Sequence, residues 1–135
     1  MTRILTIIAL LFATPASAQL YGKKADWALV LEGQFGKYYI DRNSIVKGRG
    51  NTFDFKMLMD LPKPDEGHSS SVWTQSMDCS KMLWKTKALQ FWTGNMASGK
   101  IKDQATWSSD QQYWDDVDPM KNVDFYNLVK KLCSN

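Results

Sequence analysis

Two cysteines are the feature of this sequence that most limits its fold. Cys79 lies near the middle of the chain and Cys133 lies near its end, 54 positions further on. Two cysteines in an exported chain most simply form one disulfide. Redox catalysis, the alternative, commonly uses a close pair such as C-x-x-C. We therefore predict that a bond between Cys79 and Cys133 holds the last segment of the chain against its centre.

The start of the sequence predicts export. A short basic start at Arg3 is followed by the apolar run Ile4–Phe12 and then by the small-residue triplet Ala16–Ala18, which is typical of a secretory signal cleaved before Gln19. The run is shorter than the roughly 20 residues that a membrane-spanning helix needs, and no cysteine lies at the cleavage point. We expect residues 1–18 to be removed and residues 19–135 to form a single domain, periplasmic, secreted or at the cell surface, without a lipid anchor.

The composition argues against one class of partner. The formal net charge is only +3, which is too weak a balance to indicate nucleic-acid binding. The chain also has six tryptophans, five tyrosines and six phenylalanines. We expect most of these to fill the core. Those that stay exposed could anchor a partner or form a platform for a sugar.

Hydrophobic patterns predict a sheet in the first half of the chain. Strands are expected at 27–32 and 37–41, each followed by turn residues. The segment 52–60 alternates, with Phe53, Phe55, Met57 and Met59 on one side, as in a strand covered mainly on one face. The proline- and glycine-containing stretch 61–70 predicts an exposed loop.

A long segment without glycine or proline follows, from Ser70 to Trp92. It exceeds the length of an ordinary strand, so we predict two strands with a break near 78–80 and a last strand near 100–107. Trp73, Met77 and Cys79 are expected to share one face of the first strand. In the second strand the alternation puts one set on the core face and three lysines opposite. The core set is Met82, Trp84, Ala88 and Trp92, and the lysines are Lys81, Lys85 and Lys87.

The end of the chain predicts a helix. Asp118 and Pro119 are a favourable start, with a capping acid before proline. An apolar stripe then follows at helical spacing, and a helix of this kind packs on a sheet. The predicted fold class is therefore α+β, with a single antiparallel sheet of about six strands and a C-terminal helix bridged to one face by the disulfide. The stripe is Phe125, Leu128, Val129, Leu132 and Cys133.

Few residues point to chemistry. His68 is the one histidine of the sequence, and we interpret it as a solvated loop residue, since no acid and nucleophile at suitable spacing accompany it. The acids Asp110, Asp115, Asp116 and Asp118 lack the spacing of an EF-hand loop. Capping and solvation explain them more simply. We therefore predict no catalytic residue, no metal and no cofactor.

Lysines are the candidate partner-binding residues. If the two strands that carry them are neighbours, they form a basic patch for an acidic protein surface or an anionic glycan. The alternative is a solvated face that discourages edge-to-edge aggregation. These residues are Lys81, Lys85, Lys87, Lys100 and Lys102.

The order of several short motifs resembles the surface-adhesin protein E family of exported bacterial proteins. The matching pieces are "WALV", "YYIDRNSI", "FKMLMDLP", "SMDC", "MASGK" and "YWDDVDPM", followed by a helix ending in "LC". They extend from about Trp27 to Cys133. The resemblance implies an antiparallel sheet with a bridged C-terminal helix, binding to host extracellular-matrix or plasma proteins, and a homodimer as one arrangement.

The leading functional hypothesis is therefore a non-catalytic, adhesin-like binding module. The first alternative is a periplasmic inhibitor or assembly factor that binds a partner of its own cell envelope. The second alternative is a small hydrolase, in which His68 would be the residue to test.

Overall fold

A computed structural model of the protein describes residues 24–134. The predicted signal peptide lies outside the described residues. Among those residues, no helix is long and apolar enough to span a membrane. The elements, in chain order, are β1 (Trp27–Glu32), β2 (Lys37–Asp41), β3 (Val46–Lys47), β4 (Thr52–Asp65), β5 (His68–Asp78), β6 (Leu83–Trp92), β7 (Ile101–Thr106), β8 (Asp115–Asp116) and the helix α1 (Val123–Cys133).

All the strands form one antiparallel sheet. Six of them follow the order β1-β2-β4-β5-β6-β7, while the short β3 pairs with β4 and the short β8 pairs with β6. The predicted fold class is confirmed, and the sheet has two short strands more than the six expected. Short connections join β1 to β2, β4 to β5 and β5 to β6, as in antiparallel hairpins.

The helix covers one face of the sheet, which we call the core face. Phe125, Leu128 and Val129 of α1 are buried against Phe55 and Met77. The predicted apolar stripe is confirmed.

The predicted start of the helix is wrong by several residues. Asp118 forms a turn instead, since its carboxylate accepts from the backbone N–H of Met120 and its carbonyl accepts from Lys121 and Asn122. The side chain of Asn122 then caps the helix by accepting from the N–H of Phe125.

The stretch 62–67 is exposed as predicted, but the predicted loop at 61–70 is wrong. Strand β4 continues to Asp65, which pairs with His68, so the connection is the two-residue turn Glu66–Gly67. Both turn residues have positive φ, 47° and 82°, as the tight hairpin turns that match the twist of a sheet require. The prolines that suggested a loop fall in an irregular stretch of pairing between Asp60 and Asp65, where a missing N–H is tolerated.

A bulge in β6 overturns the predicted alternation of that strand. Thr74 pairs with Ala88 and Gln75 pairs with Thr86, so Lys87 has no residue opposite it in β5. The extra residue reverses the two faces of the strand beyond it. Leu89 therefore joins Trp84 on the core face, whereas Ala88 and Trp92 lie on the opposite face, which we call the outer face.

The disulfide is present as predicted. Cys79 follows the last residue of β5 and Cys133 ends α1, and their Cα atoms are 5.4 Å apart. Trp73, Met77 and Cys79 all pack on the core cluster, which confirms that they share the face on which the helix lies. The bond therefore links the end of α1 to the turn that follows β5.

A buried carboxylate fixes the other end of the helix. Asp124, in the first turn of α1, is 2% exposed. It accepts hydrogen bonds from the N–H groups of Gln34 and Phe35, both at 3.0 Å, and from the Tyr38 hydroxyl at 3.3 Å. A Cβ atom at Gly33 would collide with this carboxylate. Asp124 therefore joins the helix to the turn between β1 and β2.

Because of this contact, we expect the stability of the fold to decrease at alkaline pH. Burial, and then the charge and hydrogen bond of Asp124, raise the pKa of the Tyr38 phenol above its usual value. Tyrosine in the unfolded chain ionises near pH 10. The stabilisation from neutral Tyr38 is therefore complete below about pH 10 and is lost as the pH rises further.

We expect Tyr38→Phe to flatten this alkaline loss. Urea unfolding midpoints at pH 8 and pH 11 should fall less in the variant than in the wild type, because the variant has no phenol to ionise at this position. Tyr113→Phe, which removes an exposed phenol, is the control and should behave like the wild type. Equal losses in Tyr38→Phe and the wild type would contradict the prediction.

Candidate functional site

The five predicted lysines lie in separate groups. Lys81 is in the turn before β6, whereas Lys100 immediately precedes β7, whose first residue pairs with Trp92 at the far end of β6. Strand β6 has 10 residues and so spans roughly 33 Å at about 3.3 Å per residue. Lys81 and Lys100 therefore lie near opposite ends of β6, too far apart to form one patch. Lys102 lies near Lys100, with its amine against Gly67 of the β4–β5 turn.

Lys85 and Lys87 meet at one acid of the outer face. Asp54 stands opposite Ser76, which stands opposite Lys85, and the Lys87 amine lies 2.7 Å from an Asp54 carboxylate oxygen. Partial burial of Asp54 opposes its ionisation, but hydrogen bonds from Lys87 and Ser76 and the lysine charges outweigh it, so the pKa of Asp54 lies below its usual value. Lys87 is thus already paired within the fold.

Lys85 lies beside an exposed pair of aromatic residues that the sequence reasoning did not single out. Its amine is 4.8 Å from the centre of the Trp114 ring, within the range of a cation–π contact. Trp114 is 39% exposed and Tyr113 is 76% exposed. Both lie between a 3₁₀ turn (Ser109–Gln111) and β8. Lys85, Tyr113 and Trp114 are named here the Lys85 surface.

The sequence carries one signal that could have found this surface. Tyr113 and Trp114 stand in a polar stretch that has neither strand nor helix periodicity, and large aromatic residues in such a stretch have no core face to fill. The pairing of β8 with Leu83 and Trp84 brings this stretch beside Lys85. Because that pairing involves only two residues, no hydrophobic pattern in the sequence predicts it.

His68 is not the solvated loop residue that we expected. It is the first residue of β5 and is partly buried, with its ring 4.6 Å from that of Phe91 in an edge-on contact. The nearby serines have structural partners: Ser70 donates to the Gly94 carbonyl, and Ser71 accepts from the Trp73 indole. Within residues 24–134, no group of three or more His, Cys, Asp or Glu side chains is arranged to hold a metal ion.

The arrangement as a whole offers surfaces for binding. The core face is closed by α1 near the disulfide, while the Lys85 surface lies where the chain passes from β7 to β8. Exposed aromatic side chains such as Trp114 are enriched at protein interfaces.

Comparisons with known proteins agree on one family. The family model described as surface-adhesin protein E matches residues 27–134. Solved structures of Haemophilus influenzae protein E share the fold. One, in crystal form II, has a TM-score of 0.58 at 16% identity and covers 84% of this chain and 91% of that chain. Another, from a non-typeable strain, has a TM-score of 0.56 at 16% identity and covers 84% and 78%.

No curated protein matches this sequence. The family match nevertheless extends over both cysteines and over every strand and helix described above, and the match to solved structures places the same fold over most of the chain. The family is one of surface adhesins, so membership implies an exported or surface location. This chain belongs to the surface-adhesin protein E family.

Proposed function

We propose that this protein is a non-catalytic binding module that attaches to host extracellular-matrix or plasma proteins. The observation that carries the proposal is the family match over residues 27–134. The environment of His68 is in keeping with it, because its ring packs edge-on against Phe91 and the nearby hydroxyls of Ser70 and Ser71 are engaged with Gly94 and Trp73.

The Lys85 surface is the place where we propose that the partner binds. It joins a positive charge to two exposed aromatic rings, and such rings supply much of the energy of protein interfaces. Lys87 is a poorer candidate because Asp54 neutralises it. Lys85 is partly exposed, and an acidic patch on the partner would complement its charge.

The test is a binding assay with the protein lacking residues 1–18, on immobilised matrix and plasma proteins and, in parallel, on an extract of the producing cell's own envelope. We expect retention on host proteins that decreases as salt rises, because exposed charges are screened beyond about 10 Å at 0.1 M salt. Lys85→Glu should weaken that retention several-fold. Trp114→Ala should weaken it by loss of ring contacts.

Lys63→Glu is the matched control, since Lys63 is exposed in the distal part of β4 and the change in charge is the same. It should bind as the wild type does. Retention by envelope components alone would replace the adhesin hypothesis with that of a periplasmic inhibitor or assembly factor. Binding to host proteins that ignores both Lys85→Glu and Trp114→Ala would move the site away from the Lys85 surface.

A further inference from the structure

A cavity of about 190 Å³ lies on the core face, between the sheet and the segment that leads into α1. Its walls are largely aromatic and thioether side chains, with Trp73, Trp84 and Phe125 among them. It lies outside the Lys85 surface. An engineered cavity of about 150 Å³ is large enough to hold benzene, so this one has room for a six-membered ring with a short tail.

The floor of the cavity carries a polar side chain without a partner. Gln75 lines the cavity and is 1% exposed, and its Oε1 atom accepts no hydrogen bond within the described chain. Thr86, directly opposite in β6, has a buried hydroxyl that is equally without a partner. Leaving a buried acceptor unpaired is unfavourable. Such a group is therefore a sign of a missing hydrogen-bond donor.

The local backbone supports the same interpretation. Gln75 falls between Trp73 and Met77 on the core face, at a position where an alternating strand would normally carry an apolar residue. The bulge at Lys87 adjoins the Gln75–Thr86 pair, and bulges often re-aim side chains beside functional sites. The two residues with unpaired atoms are thus paired across β5 and β6 where the sheet is locally distorted.

The charged residues at the mouth of the cavity favour a positively charged ligand. Asp115, Asp116 and Asp118 line the cavity together with a single basic residue, Lys121. Carboxylates at the entrance, aromatic walls and a buried oxygen acceptor all attract a positive group that carries N–H donors. They disfavour an anion. A second cavity of about 400 Å³ shares Trp73, Trp84 and Asp115 with the first, and Lys85 and Tyr113 also line it. The tail of a ligand can therefore extend towards the Lys85 surface.

We propose that this cavity binds an organic cation, namely a protonated amine on an apolar stem. The stem lies between the Trp73 and Trp84 rings, and the ammonium group donates to Gln75 Oε1 beneath the carboxylates. A free amine and the lysine side chain of a partner protein share this chemistry. The proposal does not rest on the adhesive function, because the cavity that holds the ammonium group is lined by none of the residues of the Lys85 surface.

The first test compares two ligands of the same shape, phenethylammonium and 2-phenylethanol, by calorimetric titration of the protein lacking residues 1–18. We expect saturable binding of the cation and at least tenfold weaker binding of the neutral alcohol. Equal affinities, or no binding of the cation at millimolar concentration, would overturn the proposal. Titration with N-acetyl-lysine amide is the second arm. Saturable binding of it supports a partner's lysine side chain as the source, and its exclusion while phenethylammonium binds supports a free amine.

Variants separate a binding role from a structural one. Gln75→Met keeps the volume but removes the acceptor, and it should weaken binding of phenethylammonium about tenfold, the effect of one hydrogen bond to a charged group. Its unfolding midpoint should stay equal or rise, because no internal hydrogen bond of Oε1 is lost. Loss of stability with unchanged affinity would overturn the proposal.

Asp116→Asn tests the charges at the mouth and should weaken binding several-fold. Asp65→Asn is its matched control, because Asp65 is exposed at the β4–β5 turn and away from the cavity. The control should bind as the wild type does. Equal effects of the two substitutions would show that the mouth carboxylates do not act on the ligand.

Discussion

Replacing Cys79 with Ser is expected to lower the free energy of unfolding by roughly 2–5 kcal/mol, the usual effect of removing a native disulfide from a small exported domain. The bond closes a loop of 54 residues, for which the chain-entropy account gives about 4 kcal/mol. The total stability of a domain of this size is about 5–15 kcal/mol. The loss is therefore a large share of it.

Chemical unfolding of the oxidised proteins measures the effect. Cys133→Ser and the double variant should show the same loss as Cys79→Ser, because each removes the same bond, and a reductant should bring the wild type to that level. The helix keeps its apolar contacts through Leu128 and Val129, so the variants should remain folded at low temperature. Two free thiols in the oxidised wild type, or an unchanged unfolding midpoint in Cys79→Ser, would contradict the prediction.

The sheet and the bridged helix could be predicted because their signals are local and repeated. The alternation around Phe55 and Met57 and the helical spacing of Leu128 and Val129 each occur over several residues, and tertiary contacts reinforce them. The hairpin turn at Glu66–Gly67 was missed because prolines beside it are typical of loops. Here they fall in an irregular stretch of strand pairing, which only the partner strand reveals.

The candidate sites depended on contacts that no single segment encodes. The bulge at Lys87 results from how β5 and β6 fit together, and it reverses the faces predicted for the end of β6. The contact between Lys85 and Trp114 needs the two-residue strand β8 to pair with β6. Gln75 could have been noticed as a polar residue between Trp73 and Met77, but its lack of a hydrogen-bond partner is a property of the packed core.

The structural role of Asp124 is difficult to predict from the sequence. An acid in the first turn of a helix is ordinarily explained by its favourable interaction with the helix dipole alone. Here the carboxylate is buried and accepts from two backbone N–H groups and the Tyr38 hydroxyl. Removing it leaves those donors without their acceptor, and hydrogen bonds to a charged group contribute about 1.5–3 kcal/mol each. The donors at Gln34 and Phe35 are only partly buried, so water can replace part of what they lose.

We therefore expect Asp124→Ala to lower the free energy of unfolding by about 3 kcal/mol. Asp124→Asn should cost less, since its amide oxygen can still accept from one donor. Gly33→Ala should act in the same direction, because a methyl group there would displace the carboxylate. Urea unfolding measures all three, with Asp65→Ala as the control at an exposed acid. If Asp124→Ala stayed within about 0.5 kcal/mol of the wild type, the range of ordinary surface substitutions, the turn between β1 and β2 would have to be held to the helix by its apolar contacts alone.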